Sequence, residues 1–244
     1  MTKALKTQWT LNDLVLLFAT TTFMIVGLIT ITESLFGEGG PFNHLNDQTI
    51  NLWLYGLQSL TLLIPLFLVT RYKYKTPWKA FGFRKVNAKK AAKFIAFGYL
   101  FYYIASSIFI QLKMSYDYQV PGFGEQESHI PIFGETLEGM IIGGIIIIGI
   151  APIIEELFFR GYIYQVIKKY TSTRWASVIG ATIFALFHLE FQVFIPIFIL
   201  GLVLNWIFEK SGSLWTPIAF HMINNTFAYL FEIAIFFEWI DIPW

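Results

Sequence analysis

The chain contains 244 residues, of which 56% are hydrophobic, 19% aromatic and only 14% charged. With a mean hydropathy of +0.59, this composition excludes a water-soluble domain and is typical of a protein that crosses a membrane several times. The formal net charge is +1, no basic patch interleaved with aromatic residues points to nucleic acid, and the lack of cysteine excludes disulfides and a thiol nucleophile.

Seven largely uncharged runs are candidate membrane spans, because about 20 apolar residues are needed to cross a ~30 Å hydrocarbon layer. In chain order they cover residues 14–32, 50–70, 94–112, 139–167, 175–189, 191–208 and 214–237. The first run is too long for a signal peptide, and no small-residue cleavage pattern follows it. The fifth and sixth runs are short and almost adjacent at Glu190. The sequence therefore predicts an all-α polytopic membrane protein with about seven transmembrane helices.

Lysine and arginine are strongly segregated between the loops. Of the 17 basic residues, 15 lie in the N-terminal segment, the 71–93 loop, the 168–174 turn and the last turn at Lys210. The loops of the opposite side hold only Lys113 among many acidic residues. Because cytoplasmic loops are rich in Lys and Arg, the sequence predicts a cytoplasmic N-terminus and an external C-terminus. The short chain and tight loops favour a prokaryotic plasma membrane.

The basic loop 71–94 also contains Trp78, Phe81 and Phe83. This mixture suits a segment that lies against anionic lipid headgroups, although a solvated loop that only sets the topology explains it equally well. The acidic loop 113–138 contains proline and glycine and is either a lid or a connector. Membrane lipid is therefore an expected partner of the chain.

The fourth span carries three charges where a helix facing lipid would carry none. Glu155, Glu156 and Arg160 are the only charged residues between Glu138 and Lys168, and each is costly in contact with lipid tails. Glu156 and Arg160 are four residues apart, which favours an ion pair along one helix face. Glu155 lies about 100° away around the helix and has no local partner. A structural ion pair with Glu155 as a bystander is the alternative to a functional site.

Two later spans carry polar residues that favour the functional interpretation. Phe184 and His188 share one face of the fifth span, and His221 and Asn225 share one face of the seventh. A single buried histidine is usually a packing residue, but here two of the four histidines accompany an amide and a spare glutamate. The fourth and fifth spans form a hairpin, and the midpoint between Glu155 and His188 falls in its turn. These two side chains are therefore expected at the same depth.

The residue types predict hydrolysis. A carboxylate beside an imidazole in a partly dry cavity can remove a proton from water, and Glu155 with His188 would form such a pair. A second imidazole and a carboxamide, His221 and Asn225, are donors suited to a developing oxyanion. Cysteine is absent, and no serine or threonine is spaced as a nucleophile. The implied reaction is attack of an activated water on an acyl carbon, most simply that of a peptide bond.

At these residues the sequence resembles the intramembrane glutamic endopeptidases of the CAAX-processing and bacteriocin-processing family, also called CPBP or Abi. EELFFR at 155–160 fits the EExxxR motif, FALFH at 184–188 fits FxxxH, and HMINN at 221–225 fits HxxxN. The resemblance covers roughly residues 139–230, and three ordered motifs make it specific. We therefore divide the chain into three N-terminal helices with their loops at 1–138 and a four-helix catalytic core at 139–244.

The resemblance implies that the residue matching Glu155 activates water with the help of the residue matching His188. The residues matching His221 and Asn225 would stabilise the oxyanion. The supporting residues of the site would be Glu156 and Arg160. We expect a membrane-associated or lipidated peptide or protein as the substrate, but the resemblance does not name it, and a prenylated CAAX protein, a leader peptide or a peptide pheromone would each fit.

Two features of the resemblance concern the chemistry and the packing of the site. Many members of the family carry a small glycine where this chain has Asn205, which could alter the approach of the helices. Older usage calls the family metalloproteases, and two histidines with two glutamates could in principle hold zinc. No HExxH helix is present, so a glutamate mechanism without a metal or other cofactor is preferred.

Functions from two other classes remain open. A non-catalytic bacteriocin-immunity or regulatory membrane protein would tolerate the loss of a motif residue, whereas all motif residues are present. A transporter would suit buried acids and broken helices, but the two halves of the sequence show no inverted repeat.

Overall fold

Helices make up most of the protein. The computed structural model describes residues 7–116 and 128–240, and no strand occurs in these ranges. Seven helices follow one another there: α1 (Leu11–Phe36), α2 (Asp47–Phe67), α3 (Ala88–Tyr116), α4 (Leu137–Tyr170), α5 (Thr173–Phe187), α6 (Phe194–Ser211) and α7 (Trp215–Phe236). Shorter helical segments occur at Leu68–Lys73, Trp78–Phe81, Ile130–Phe133 and Phe191–Val193. The predicted all-α fold is confirmed.

Within the described ranges, every one of the seven helices except α5 is long and apolar enough to cross a membrane. The exception, α5, is an apolar helix of 15 residues, which is about 22 Å long at 1.5 Å per residue. That length is below the ~30 Å thickness of the hydrocarbon layer. The chain is therefore an integral multi-pass membrane protein in which the fifth predicted span is a short one. Residues 117–127 of the predicted acidic loop lie outside the described ranges.

The hydrogen-bonding pattern of α4 changes along its length. Ordinary α-helix at Leu137–Gly144, Ala151–Phe158 and Tyr164–Tyr170 alternates with π-helix at Ile145–Ile150 and Phe159–Ile163. Each bond of a π-helix joins residues i and i+5, and such turns are frequent at functional sites. The second π-helical segment contains Arg160 and begins three residues after Glu156. The charged residues of α4 thus lie at a change of helical geometry.

Of the described residues, the first of two compact units comprises 7–8, 77–116 and 155–221. It contains α3, α5, α6 and the second half of α4. Small residues let α5 and α6 pack closely, since a Cβ on Gly201 would lie 3.0 Å from Cα of Ala181, and such residues are typical of crossings between membrane helices. The core combines aliphatic and aromatic side chains, and the aromatic ones include the buried rings of Phe158, Phe184, Phe208 and Phe220.

The second compact unit comprises, of the described residues, 9–76, 128–154 and 222–240. It contains α1, α2, the first half of α4 and most of α7. Asp13 is buried near the start of α1, where it accepts hydrogen bonds from Lys73 at 2.6 Å and Tyr74 at 2.7 Å. Thr10 forms a capping box with Asp13, so α1 begins before the apolar run predicted from residue 14. The functional division proposed at residue 138 stays a prediction.

Candidate active site

Glu156 and Arg160 form a buried ion pair in the first unit. Arg160 Nη1 donates to Glu156 Oε1 at 2.8 Å, and neither side chain is more than 1% exposed. Arg160 also donates from Nη2 to the Gly201 carbonyl and from Nε to Asn205 Oδ1, both at 3.1 Å. Buried charges are tolerated when they are paired and hydrogen-bonded. The pairing expected from the four-residue spacing is therefore present.

Asn205 extends this network, although none of the motifs includes it. It is buried in α6, accepts from Arg160 through Oδ1, and donates from Nδ2 to the Ser177 carbonyl of α5 at 3.0 Å. The amide thus holds the arginine against the crossing of α5 and α6. In the sequence, the buried role of Asn205 is indicated only by its being a lone amide inside an apolar helix. Polar residues in membrane spans usually face protein.

Phe184 is the aromatic side chain around which the site packs. The guanidinium carbon of Arg160 lies 4.3 Å from the centroid of its ring, which is a cation–π contact. The rings of His188 and His221 are steeply inclined to it, with centroid distances of 4.6 Å and 6.0 Å. Phe184 is fully buried, so one immobile ring contacts the arginine and both histidines.

His188 follows the last residue of α5 and presents one ring nitrogen to Glu155. Its Nδ1 lies 2.8 Å from the Phe184 carbonyl oxygen, which assigns the hydrogen to Nδ1. Its Nε2 lies 4.0 Å from Glu155 Oε2, within range of an ion pair but too far for a direct hydrogen bond. Glu155 and His188, which the sequence predicts to lie at the same depth in the membrane, are therefore neighbours in the structure.

His221 joins the two glutamates of α4. Its Nδ1 lies 3.0 Å from Glu156 Oε1, its Nε2 lies 3.9 Å from Glu155 Oε2, and its side chain is 3% exposed. Because Nδ1 must donate to the Glu156 carboxylate, Nε2 of a neutral His221 carries a lone pair and cannot donate. The expected oxyanion role of His221 therefore requires the imidazolium form. The spacing of the motifs does not reveal its contact with Glu156, 65 residues away.

Glu155 is the most accessible of the three charged side chains in α4. It is 24% exposed, against 0% for Glu156. Its Oε2 atom is buried and receives no hydrogen bond from any residue in the described ranges, yet it lies within 4.0 Å of two imidazole nitrogens. A carboxylate that faces two histidines in this way is positioned for acid–base chemistry.

Asn225 belongs to the second unit. Its Nδ2 donates to the Ile147 carbonyl at 2.9 Å, so one of its amide hydrogens is engaged, and it follows His221 by one turn of α7. The structure therefore gathers five of the six predicted site residues in the first unit and Asn225 in the second. The roles assigned to all six stay predictions. The five gathered residues are Glu155, Glu156, Arg160, His188 and His221.

The Asn205→Ala variant is expected to lose about 1–3 kcal/mol of unfolding free energy, because Nε of the buried Arg160 is left without its acceptor. Chemical or thermal unfolding in detergent, followed by tryptophan fluorescence, measures the loss. The matched control is Asn51→Ala, since the Asn51 amide donates to the Ile132 carbonyl in an exposed position, where water can replace a lost partner. Equal destabilisation of the two variants would contradict the structural role of Asn205.

Comparison with known proteins gives several matches. Residues 137–227 match the family model described as type II CAAX prenyl endopeptidase Rce1-like. The putative membrane peptidase YdiL of Bacillus subtilis is 23% identical over 119 residues, and the UPF0177 protein YxdF of Lactococcus lactis is 33% identical over 79. The membrane-embedded CAAX protease MroQ of Staphylococcus aureus is 31% identical over 91 residues. No solved structure matches significantly.

The coverage of these matches limits what they establish. The match to YdiL covers 49% of this chain and 49% of YdiL. The match to YxdF covers 32% of this chain and 43% of YxdF, and the match to MroQ covers 34% of this chain and 36% of MroQ. The matching segments thus span less than half of each relative. The family model includes every predicted site residue from Glu155 to Asn225. The resemblance to the CAAX-protease family is therefore confirmed over residues 137–227.

Proposed function

We propose that this chain, whose residues 137–227 carry a domain of the CAAX-protease family, is an intramembrane endopeptidase that cleaves a membrane-associated peptide or lipidated protein. The observation that carries the proposal is the position of Glu155 Oε2, 4.0 Å from His188 Nε2 and 3.9 Å from His221 Nε2. Ionisable groups within a membrane helix are costly and usually functional. A purely structural ion pair would need only Glu156 and Arg160. It would not require Glu155 to face the two histidines.

Glu155 is the general base of the proposed reaction. The distances to the two imidazoles suit a water molecule that bridges carboxylate and ring nitrogen. As the water oxygen bonds to the carbonyl carbon, one of its protons moves to Glu155. The proton then passes to the amide nitrogen as the C–N bond breaks, which regenerates the carboxylate. His188 orients the water through Nε2, because the Phe184 carbonyl fixes Nδ1.

His221 and Asn225 stabilise the oxyanion of the tetrahedral intermediate in this proposal. The carboxylate of Glu156, 3.0 Å from His221 Nδ1, fixes the orientation of the imidazole. Arg160 supports this arrangement by holding the same carboxylate oxygen. An amide hydrogen of Asn225 supplies the second donor. Preorganised donors of this kind are among the largest contributions to acyl-transfer catalysis.

Comparative analysis of protein termini in isolated membranes tests the proposal. Membranes that contain the wild-type chain, the Glu155→Gln variant or neither are compared for new N- and C-termini. A terminus that depends on both the chain and Glu155 supports an endopeptidase and identifies its substrate. If no terminus depends on the chain and the variant keeps the cellular effect, the function is that of a non-catalytic immunity or regulatory protein.

The proposed mechanism uses no metal. A catalytic zinc ion takes three protein ligands, and no group of three or more His, Asp or Glu side chains in residues 7–116 and 128–240 is arranged to hold one. We expect cleavage to persist in strong chelators, and metal analysis of the purified protein to find no stoichiometric zinc. Activity that is abolished by chelation and restored by Zn²⁺ would instead make His188, His221 and a glutamate metal ligands.

The proposed orientation places the N-terminus in the cytoplasm and the C-terminus outside a prokaryotic plasma membrane. The chain has no cysteine, so a single introduced cysteine reports its own location. A membrane-impermeant maleimide is expected to label Glu38→Cys in intact cells and Lys85→Cys only in inverted membranes. Labelling of both positions from the same side would exclude this orientation.

A further inference from the structure

An apolar groove lies between α3 and α6 in the first unit, apart from the candidate active site. Its volume is about 430 Å³, and it is lined by Phe97, Gly98, Phe101, Leu202, Val203 and Trp206. Small-molecule sites usually occupy about 300–1,000 Å³, so the groove is large enough for a ligand. No lining side chain carries a charge, and the indole of Trp206 is the only polar one. The groove is therefore suited to a hydrocarbon chain.

Gly98 forms the floor of the groove. A Cβ at this position would lie 2.9 Å from Ile207 Cδ1 and 3.1 Å from Val203 Cγ1, so α6 approaches the α3 backbone where glycine has no side chain. Phe97 and Phe101 also line the groove and are 53% and 58% exposed. In a membrane-spanning helix these exposed rings face the hydrocarbon layer. The groove is thus accessible to a lipid from the bilayer.

The N-terminal end of α3 places positive charge beside this groove. Lys93 Nζ lies 5.8 Å from the ring centroid of Phe97, a groove residue. Lys90 Nζ lies 5.7 Å from the ring of Phe94, which packs against Trp206 at 5.7 Å. The sequence from residue 71 to residue 116 contains no acidic residue that would neutralise these lysines. From α6, the nearby Glu209 is paired with Lys168.

We propose that the groove binds an anionic phospholipid of the surrounding bilayer. One acyl chain lies between the exposed rings of α3 and the side chains of α6, while the phosphate and headgroup contact Lys90 and Lys93. The distance fits this placement, because Lys93 and Phe101 are eight residues apart and about 12 Å separate them along the helix. Anionic headgroups are attracted to basic residues at a membrane surface, whereas a free phosphate would make no use of the apolar groove.

Native mass spectrometry of the delipidated full-length chain tests this site. The protein is titrated with phosphatidylglycerol and with phosphatidylcholine of identical acyl chains. We expect the first phosphatidylglycerol to bind at a concentration about tenfold lower, the effect of a modest electrostatic preference. Equal binding of the two lipids overturns the proposal. If oleate displaces phosphatidylglycerol with equal affinity, the groove recognises any anionic acyl chain, and the assignment to a phospholipid is wrong.

Two variants separate the headgroup from the acyl chain. Lys90→Gln/Lys93→Gln is expected to remove the preference for phosphatidylglycerol, while Leu202→Trp, which fills the groove, is expected to weaken binding of both lipids. The matched control is Lys169→Gln/Arg174→Gln, which removes two exposed cations from the last turn of α4 and the first turn of α5. The proposal fails if the lysine variant and this control retain the same lipid preference. The lysines are exposed, so this comparison does not depend on tolerance of the tryptophan.

Discussion

The Glu155→Gln variant is expected to cleave substrate ~10²–10⁴-fold more slowly than the wild type, the usual contribution of a general acid–base group. Glutamine keeps the shape of the side chain but cannot take a proton from water. Its thermal stability should hardly change, because Glu155 Oε2 receives no hydrogen bond from the described residues and the side chain is partly exposed. A cleavage assay and a melting curve in the same detergent measure both effects.

A glutamate elsewhere on the same helix supplies the control. Glu138→Gln alters an exposed carboxylate in the first turn of α4, and we expect wild-type cleavage and stability. The mechanism is wrong if Glu155→Gln cleaves at nearly the wild-type rate. It is also wrong if this variant unfolds as readily as a variant of the buried ion pair, because Glu155 would then be a structural residue.

The largest loss of stability is expected for Glu156→Gln. The substitution leaves Arg160, which is fully buried, without its anionic partner, and removal of one member of a buried pair typically costs about 3–5 kcal/mol. Its hydrogen bonds to Gly201 and Asn205 remain, but they do not neutralise the charge. His221 also loses the carboxylate that orients its ring. The variant should therefore unfold at a lower temperature and cleave more slowly.

The double variant Glu156→Gln/Arg160→Met separates two effects. One is the cost of burying an unpaired charge, and the other is the loss of the hydrogen bonds that Arg160 donates. It should be more stable than Glu156→Gln, because no unpaired charge is buried, but less stable than the wild type. The recovery is partial because the Gly201 carbonyl and Asn205 Oδ1 both lose a donor. Unfolding of the wild type, both single variants and the double variant gives the coupling energy of the pair. A double variant no more stable than Glu156→Gln would contradict this account.

Sequence reasoning recovered the helical architecture because the length and hydropathy of a span are local properties. The helix ends were less predictable. α1 begins at Leu11 rather than at residue 14, because Thr10 and Asp13 satisfy the first backbone groups of the helix. The hydropathy pattern predicted the short length of α5, because the run 175–189 and the helix Thr173–Phe187 both contain 15 residues, but the helix begins and ends two residues earlier. Its end depends on the chain reversal at Leu189, where φ is +56°.

The candidate site was predictable to the extent that its residues share a helix or a hairpin. Glu156 and Arg160 are four residues apart, and Glu155 and His188 lie on neighbouring helices of one hairpin. The contact of Arg160 with Asn205 spans 45 residues and that of His221 with Glu156 spans 65. These contacts depend on how α6 and α7 pack, which no local pattern encodes. The hydrogen position on His221 follows only from its contact with Glu156.

Because α4 contains the π-helical segment Phe159–Ile163, the number of residues in this helix matters as much for the packing of its side chains as their identity does. The segment already accommodates about one residue more per turn than α-helix does, so one further inserted residue would rotate the residues that follow by about 100° relative to Glu156. Ile163, Tyr164 and Val166 are at most 1% exposed, and the rotation would turn them out of the core. Natural variants should therefore tolerate changes of side chain in this segment more readily than insertions.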